Sequence, residues 1–566
     1  MIPSTTTILT ELQGLRLMWR AGLLPRVTKI PGMLSIRRRQ GAGGLAATLA
    51  HLHGDRVAII DAKGPLSYRE FADMVGRYIN AVIVPVTPRS GVRPRIGALV
   101  RNSRYAAVIC VASFASDSRA IMLNTDMGPR HIAEVVEHEQ IDVLIHDEEF
   151  ADRFEFVDPS ITRLVAWCGD DAPEALDAYT AGASPIPPLT AKGGSAVLLT
   201  SGTTGAPRGA ERGDVRVKLA ALGGYLAKIP LRRTDRVLIA APLFHGWGQI
   251  NAINTFAVGG TVVFDGRFDP QRTIDIVKRQ HVDVVIAVPT MIRRILALPD
   301  DQVAHLGRGR LRILGTGGAK IDRATVQAVF ARIGPVLHNL YGTSECSFIT
   351  IATPDELIDA PSTAGSAPLG IRVEILDEAG NPVPSGTVGR IFADTGLQIR
   401  AYTDGSSKEW VRGMMSTGDT GRLDERGRLF IEGRSDGMIV SGGENVFPEE
   451  VEECLLRHPD VADVVVVPVP DADFGQRLRA YVVPAAGRIL DADTIKDYIS
   501  TELSRSRVPR DVIVTPDLPR TPAGKVMKAT LDQIDARLNS ATKPPATRAC
   551  DTVESAIDHT SDSRLS

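Results

Sequence analysis

Five short apolar runs, V-L-I-A-A-P-L (237–243), T-V-V-F (261–264), V-D-V-V-I-A-V-P (282–289), L-R-I-L-G-T-G-G (311–318) and V-L-H-N-L-Y-G (336–342), follow one another between Arg236 and Tyr341, separated by stretches of helical pattern. Strand, helix, strand repeated in this way predicts a mostly parallel sheet whose two faces are covered by crossover helices. In such sheets ligands gather outside the carboxyl ends of the strands, where loops and helix N-termini converge. The segments just past these strands read P-L-F-H-G-W-G (242–248), V-P-T (288–290), G-T-G-G-A-K (315–320) and Y-G-T-S-E (341–345). A structural turn needs glycine and small polar residues but has no use for His245, Trp247, Tyr341 and Glu345, so a ligand-lined edge is expected there.

Upstream, L-L-T-S-G-T-T-G-A-P-R-G-A (198–210) runs from an apolar strand into a loop of hydroxyls and glycines and then a cation. Glycines let backbone N–H groups turn toward an anion, the hydroxyls of Thr200, Ser201, Thr203 and Thr204 add donors, and Arg208 adds charge. This is a loop for a polyphosphate. It is not the Walker pattern, since the position five after Gly202 is Pro207, and G-T-G-G-A-K does not match the dinucleotide fingerprint. H-E-x-x-H does not occur, so a zinc protease lacks its signature.

The whole chain of 566 residues is long enough for several compact units and a large core. Its 65 basic and 67 acidic side chains leave a net charge of −2, which gives no field for collecting nucleic acid. Five cysteines without a C-x-x-C pair, Cys110, Cys168, Cys346, Cys454 and Cys550, fit neither a disulfide framework nor a zinc site and point to a reducing, cytoplasmic compartment. The apolar runs around Ala106–Ala115 and Val461–Val469 reach about half the ~18–20 residues that span a bilayer.

Residues 1–40 carry Arg16, Arg20, Arg26, Lys29, Arg37, Arg38 and Arg39 against one acid, Glu11, with Ile8, Leu12, Leu15, Trp19 and Leu23 at helical spacing. The charges are interleaved with the apolar positions, unlike a secretory signal, so this basic amphipathic segment is expected either to pack on the body or to contact anionic lipid as a peripheral anchor. Near Gly433 the pattern shifts: S-G-G-E-N-V-F-P-E-E-V-E opens a helix at Pro448, followed by the strands V-A-D-V-V-V-V-P and Arg479–Val483 and a helix near Thr494–Leu503. The polar stretch from about residue 541 to 566 is expected to be a disordered tail.

Taken in order, T-S-G-T-T-G-A-P-R-G, P-L-F-H-G-W-G, Y-G-T-S-E, S-T-G-D-T-G, G-R-S-D-G-M-I-V-S-G-G-E-N and P-R-T-P-A-G-K resemble the motifs of the adenylate-forming acyl-CoA synthetase superfamily, over roughly residues 50–540. The resemblance implies an α/β fold: a large N-terminal domain of mostly parallel sheets covered by helices (51–435) after the basic extension (1–50), then a small, mobile α+β C-terminal lid (436–540) before the tail (541–566). It also implies a two-step reaction with ATP, Mg²⁺ and coenzyme A. A carboxylate attacks the α-phosphate of ATP, releasing pyrophosphate, and the thiol of coenzyme A then displaces AMP. Activation must come first, because a free carboxylate is a poor acyl electrophile.

By the same resemblance Thr200, Ser201, Gly202, Thr203, Thr204, Gly205 and Arg208 hold the β- and γ-phosphates, with arginine where relatives usually carry lysine. Glu345 is the Mg²⁺ ligand, Tyr341 the adenine platform beside Gly317 and Gly342, and Thr343 the contact to the α-phosphate. Asp419 would accept both ribose hydroxyls and Arg434 would assist it. Lys525 matches the mobile catalytic lysine, Asp436 the hinge, and Ser441, Gly442 and Gly443 the segment facing coenzyme A, with Gly437 and Val440 departing from the usual residues.

The acid is expected between His245, Trp247, Gly317 and Gly318: His245 would orient the carboxylate, Trp247 would wall or gate an apolar tunnel, and the glycines would leave room for a chain. No carboxylate in P-L-F-H-G-W-G could pair an α-ammonium, so a medium- to long-chain fatty acid is expected rather than an amino acid. Two alternatives stay open, an acyl-AMP ligase delivering to a carrier protein and a nucleotide-binding scaffold without turnover. A monomer or homodimer is expected.

Overall fold

The computed structural model describes residues 5–167, 176–200, 208–211, 219–399, 401–403, 405–434, 438–519 and 531. The chain divides into two compact units, 1–514 and 515–566. In the second, the Thr515 hydroxyl donates to the Asp517 carbonyl at 3.1 Å. Ser201–Gly205, Asp436, Gly437, Lys525 and the segment 541–566 lie outside the described residues.

Among the described residues the first unit holds three sheets. All five strands expected between Arg236 and Tyr341 are present and parallel, in the spatial order Leu337–Thr343, Ile313–Gly317, Val284–Ala287, Arg236–Ile239, Thr261–Val263, and Val57–Asp61 extends the parallel run. The order reverses at Arg236–Ile239. From that strand the chain goes out to Thr261–Val263 and then returns to pair Val284–Ala287 on the other side, which opens a crevice beyond Ile239 and Ala287.

These strands are buried on both faces, with side chains parted by the twofold period. Val284 and Ile286 join the core around Tyr68, Phe71 and Trp247, while Val285 and Ala287 join Ile274, Ile292 and Val326 on the far side. Past Leu337–Thr343 the sheet turns antiparallel through Ser347–Ala352, Gly365–Ser366, Arg428–Arg434, Met414–Leu423, Gly389–Asp394 and Arg372–Leu376. Strands whose connections carry no crossover helix pair antiparallel.

The second sheet is parallel over Ser195–Thr200, Arg119–Met122, Arg95–Leu99, Val143–His146 and Thr162–Val165, with Arg208–Glu211 and Ala401–Tyr402 antiparallel at its edge. Helix Arg104–Ala115, apolar on every side, packs into the core that residues of both sheets share, and eleven of its twelve residues are buried. The third sheet orders Glu444–Val446, Ile439–Ser441, Gly475–Pro484 and Val461–Asp471, with Asp511–Val514 parallel beside Gly475–Pro484. Helices Pro448–Leu456 and Ala492–Glu502 close its core through Val451, Ile495 and Ile499.

At the N-terminus, helix Thr5–Arg20 packs along helix Leu219–Lys228. The approach is backbone to backbone: a Cβ on Gly14 would stand 2.5 Å from Ala220 Cα, and one on Gly223 would stand 2.5 Å from the Gly14 carbonyl. Any larger residue at either position would separate the helices.

Candidate active site

His245 follows strand Arg236–Ile239 and occupies the cap position of helix Gly246–Val258 with extended backbone, so its ring projects into the crevice rather than onto its own helix. Its Nε2 stands 2.9 Å from Glu444 Oε1. Glu444 comes from the third sheet, and its second oxygen accepts the Asn124 side-chain N–H at 3.0 Å. It follows Gly442 (φ 63°) and Gly443 (φ 98°), a left-handed pair that lets the hairpin reverse directly before the acid. Burial, the largest influence, opposes charge on both groups. Their mutual attraction and hydrogen bond outweigh it, holding the His245 imidazole above its usual value and the Glu444 carboxyl below its own.

The seam behind this pair is built from backbone. Gly128 N–H donates to the Leu503 carbonyl at 2.6 Å and Arg505 N–H to the Asp126 carbonyl at 3.2 Å. His131, which burial and then Arg507 push down to about 3, is neutral, and its Nδ1 stands 3.2 Å from the same Leu503 carbonyl. Arg507 in turn meets Glu450 at 2.8 Å, both buried.

Trp247 is buried, and its indole N–H donates to the Ala287 carbonyl at 3.0 Å. A Cβ on Gly315 would stand 3.1 Å from its Cζ2, and one on Gly317 3.3 Å from its Cδ2. Those two glycines therefore make room for the indole, and Gly317 does not leave the space for an acyl chain that its place in G-T-G-G-A-K suggests. Gly318 (φ 83°) faces open space, with no atom nearer than Val288 Cγ1 at 4.0 Å.

Tyr341, Asp419 and Arg434 converge although 78 residues separate the first pair, the Tyr341 hydroxyl donating to Asp419 Oδ2 at 2.6 Å. Asp419 and Arg434 sit opposite each other on adjacent antiparallel strands, and Arg434 Nη1 reaches Asp419 Oδ1 at 2.9 Å. Burial and then the Asp419 anion raise the Tyr341 hydroxyl well above its usual value, so it stays a donor at any working pH. Thr343 Oγ1 accepts the Cys346 N–H at 3.0 Å and shapes the turn that carries Glu345. Glu345 is buried and accepts the Tyr402 hydroxyl at 2.5 Å.

No group of three His, Cys, Asp or Glu side chains able to hold a metal occurs among the described residues. One carboxylate such as Glu345 suits Mg²⁺, which prefers to complete its octahedron with phosphate oxygens and water. Of the phosphate loop, Thr200 ends strand Ser195–Thr200 and Arg208 begins Arg208–Glu211.

Two cavities meet at His245. The larger, about 770 Å³, is bounded by Phe244, His245, Val288 and Met291 on one side and by Ser441, Gly442, Gly443 and Phe474 on the other. The smaller, about 170 Å³, is lined by Met122, Leu199, Trp247, Ile250, Leu340 and Phe348 and by the turn Gly342–Ser344. Phe244, His245, Val288, Gly443 and Glu444 belong to both. Sequence reasoning had named His245 and the Ser441–Gly443 segment but not Glu444, Asn124 or Tyr402. An acid directly after two consecutive glycines was the one available signal, and only for Glu444.

Residues 47–403 match the AMP-binding enzyme family and residues 450–525 the AMP-binding enzyme C-terminal domain. The chain belongs to this family, the adenylate-forming enzymes that include the acyl-CoA synthetases, and is an AMP-forming acid–CoA ligase. It is 29% identical over 503 residues to the indoleacetate–CoA ligase of Aromatoleum aromaticum, covering 86% of this chain and 97% of that one. It is 26% identical over 447 residues to the long-chain-fatty-acid–CoA ligase FadD13 of Mycobacterium tuberculosis, covering 77% and 87%. Among solved structures it is similar to the amide bond synthetase McbA of Marinactinospora thermotolerans, with a TM-score of 0.76, 26% identity and coverage of 86% and 99%.

Proposed function

We propose that this enzyme is a fatty acid–CoA ligase whose preferred acid is of medium chain length, and that His245 stands where the acyl carbonyl and the incoming thiol meet. The observation that carries this reading is the junction of a basic cleft and a small apolar cavity at His245 and Glu444.

The apolar cavity supports the acid assignment. Met122, Leu199, Trp247, Ile250, Leu340 and Phe348 give it an apolar wall opposite the polar side chains of Asn124, His131, His245 and Arg507, and its one carboxylate, Glu444, is already engaged by His245 and Asn124, so nothing there is poised to pair an ammonium. An apolar cavity of ~150 Å³ accommodates a benzene-sized group. The volume of about 170 Å³ here therefore suits an acyl tail of roughly six to eight carbons, and longer chains require the Trp247 indole to leave the Ala287 carbonyl.

The cleft supports coenzyme A over a carrier protein. Arg267, Arg294, Lys496, Arg505 and Arg510 line it, besides Arg101 and Arg477, which carboxylates engage. Coenzyme A brings a diphosphate and a further phosphate, whereas the arm of a carrier protein brings a single phosphodiester, so five cations, set against Asp126 as the one further acid of the lining beside Glu444, match the free coenzyme.

In the first step the carboxylate oxygen forms a bond to the α-phosphorus and the bond to pyrophosphate breaks. Tyr341, Asp419 and Arg434 would hold the nucleoside, Thr343 and Arg208 would steady phosphates, and Lys525 would balance the charge that develops at the α-phosphate. Mg²⁺, held by Glu345, would supply charge neutralisation at the phosphates. In the second step the thiol sulfur bonds to the acyl carbon and AMP leaves with the electron pair of the broken C–O bond. The orientation with Glu444 at His245 leaves the cleft open to the acyl cavity, as that step requires.

The test is pyrophosphate exchange into ATP with acids from two to twenty-four carbons, followed by thioester formation with and without coenzyme A. The reading predicts exchange that peaks at medium chain length and a thioester that forms only with the coenzyme. Exchange with no acid in the panel, or an adenylate that accumulates beside coenzyme A, overturns it.

A further inference from the structure

We propose that the N-terminal helix pair, Thr5–Arg20 and Ile30–Gln40, is a docking face for an anionic lipid bilayer, so that the enzyme works at a membrane surface. The inference is independent of the proposed reaction, because none of these residues lines either cavity.

Each helix has already spent its inward face. Gly14 and Met18 of the first are buried against the body, and Gly32 of the second lies against His51. The one acid of the segment, which would oppose an anionic surface, is occupied on the body: Glu11 accepts the Ala220 N–H at 3.1 Å.

What faces outward is large and apolar. Leu9, Leu12 and Trp19 fall on one side of the first helix, Val27 lies in the connection, and Ile30 and Leu34 share a side of the second. Trp19 is 68% exposed, Val27 80% and Leu34 63%. Interleaved with them are six exposed guanidinium groups, Arg16, Arg20, Arg26, Arg37, Arg38 and Arg39, and none makes an ion pair among the described residues.

Apolar side chains alone would fit a protein partner, and cations alone would fit a nucleic acid. Bulky apolar groups with a tryptophan, flanked by arginines on two short helices, fit the boundary between acyl chains and anionic headgroups. No helix among the described residues is long and apolar enough to cross a membrane, so contact would be from one side.

The experiment is flotation of the full chain with vesicles of phosphatidylcholine alone and of seven parts phosphatidylcholine to three of phosphatidylglycerol. Binding is expected to the anionic vesicles, weakened by about 0.5 M salt. Each arginine lost should lower the partition coefficient by about fivefold, so the triple variant Arg37→Glu, Arg38→Glu, Arg39→Glu should fall by ~100-fold or more. Trp19→Ser with Leu34→Ser should fall by at least ~10-fold. Both variants should retain wild-type ligase turnover on a soluble acid without vesicles, which shows that they fold. The proposal is overturned by failure of the wild-type chain to float, by binding that neither variant weakens, or by a wild-type dimer that both variants dissociate while vesicles capture nothing.

Discussion

Glu444 Oε1 lies 2.9 Å from His245 Nε2, joining a side chain on the third sheet to one at the switch point of the first, 199 residues away. The contact fixes one orientation of the residue 439–514 sheet over the crevice. The pair strengthens charge on both members against the opposing effect of burial. Its contribution is therefore complete between the usual values of 4.5 and 6.5. It is lost as pH rises through the raised His245 value or falls through the lowered Glu444 value. Single-turnover thioester formation from acyl-AMP should show a basic limb set by His245. In Glu444→Gln that limb moves to lower pH and the rate near neutrality falls about tenfold. If this orientation serves the thioester step alone, pyrophosphate exchange should change less than about twofold in the same variant. Equal losses in the two half-reactions would remove the assignment.

Gly128 tests the seam itself. A Cβ there would stand 2.4 Å from the Ser500 carbonyl oxygen and 2.5 Å from that of Thr501, so Gly128→Val cannot keep the observed orientation. Thioester formation should slow by ~10-fold or more while pyrophosphate exchange and the melting temperature of the main body stay near wild type. The two half-reactions measured side by side decide it.

Trp247→Leu removes the indole that covers Gly315 and Gly317 and leaves the Ala287 carbonyl without its donor. The fold should lose about 3 kcal/mol, read by denaturant unfolding. The acid giving the highest kcat/KM should lengthen by several carbons, because the vacated volume continues the apolar cavity. A preference that stays in place would mean that the tail does not run toward Trp247.

Asp419→Asn keeps the size of the side chain but takes away the anion on which the Tyr341 hydroxyl and Arg434 converge. The KM for ATP should rise by at least ~10-fold with a smaller change in the KM for the acid, measured by pyrophosphate exchange.

Lys525→Ala should lower adenylate formation by ~100-fold or more, since a positioned cation at a developing charge is typically worth ~3 kcal/mol. Chemically prepared acyl-AMP should still be converted to thioester within a few-fold of the wild-type rate. This pattern is the reverse of that expected for Gly128→Val, so the two variants together separate the half-reactions.

The parallel half of the large sheet was legible because its strands are buried on both faces and so appear as unbroken apolar runs such as V-V-I-A-V-P (284–289). Its antiparallel half was not, since strands like Arg372–Leu376 and Gly389–Asp394 are only partly buried and carry charges in their alternation. Of the two helices on the third sheet, the first announced itself through Pro448 with two following acids, and the second is capped in the structure by Asp491, which accepts the N–H groups of Asp493 and Thr494. His245, Trp247, Tyr341 and Glu345 stood out because their residue types exceed what a turn requires, whereas Asp419, in a common Gly-Asp-Thr-Gly turn, was marked only by the family resemblance.

The amino-acid sequence by itself determined the strand–helix alternation, the loops at the strand ends and the chemistry that a carboxylate, a hydroxyl-rich loop and a late lysine can perform together. Tertiary structure alone decided which side chains meet. Glu444 reaches His245 and Asn124 across 199 and 320 residues, and Tyr402 reaches Glu345 across 57. It also decided that Trp247, by donating to Ala287, fills the space that Gly317 would otherwise leave open. Periodicity and spacing act over a few residues, whereas a site at a switch point is assembled by strand order and domain orientation, and neither is written in any local pattern.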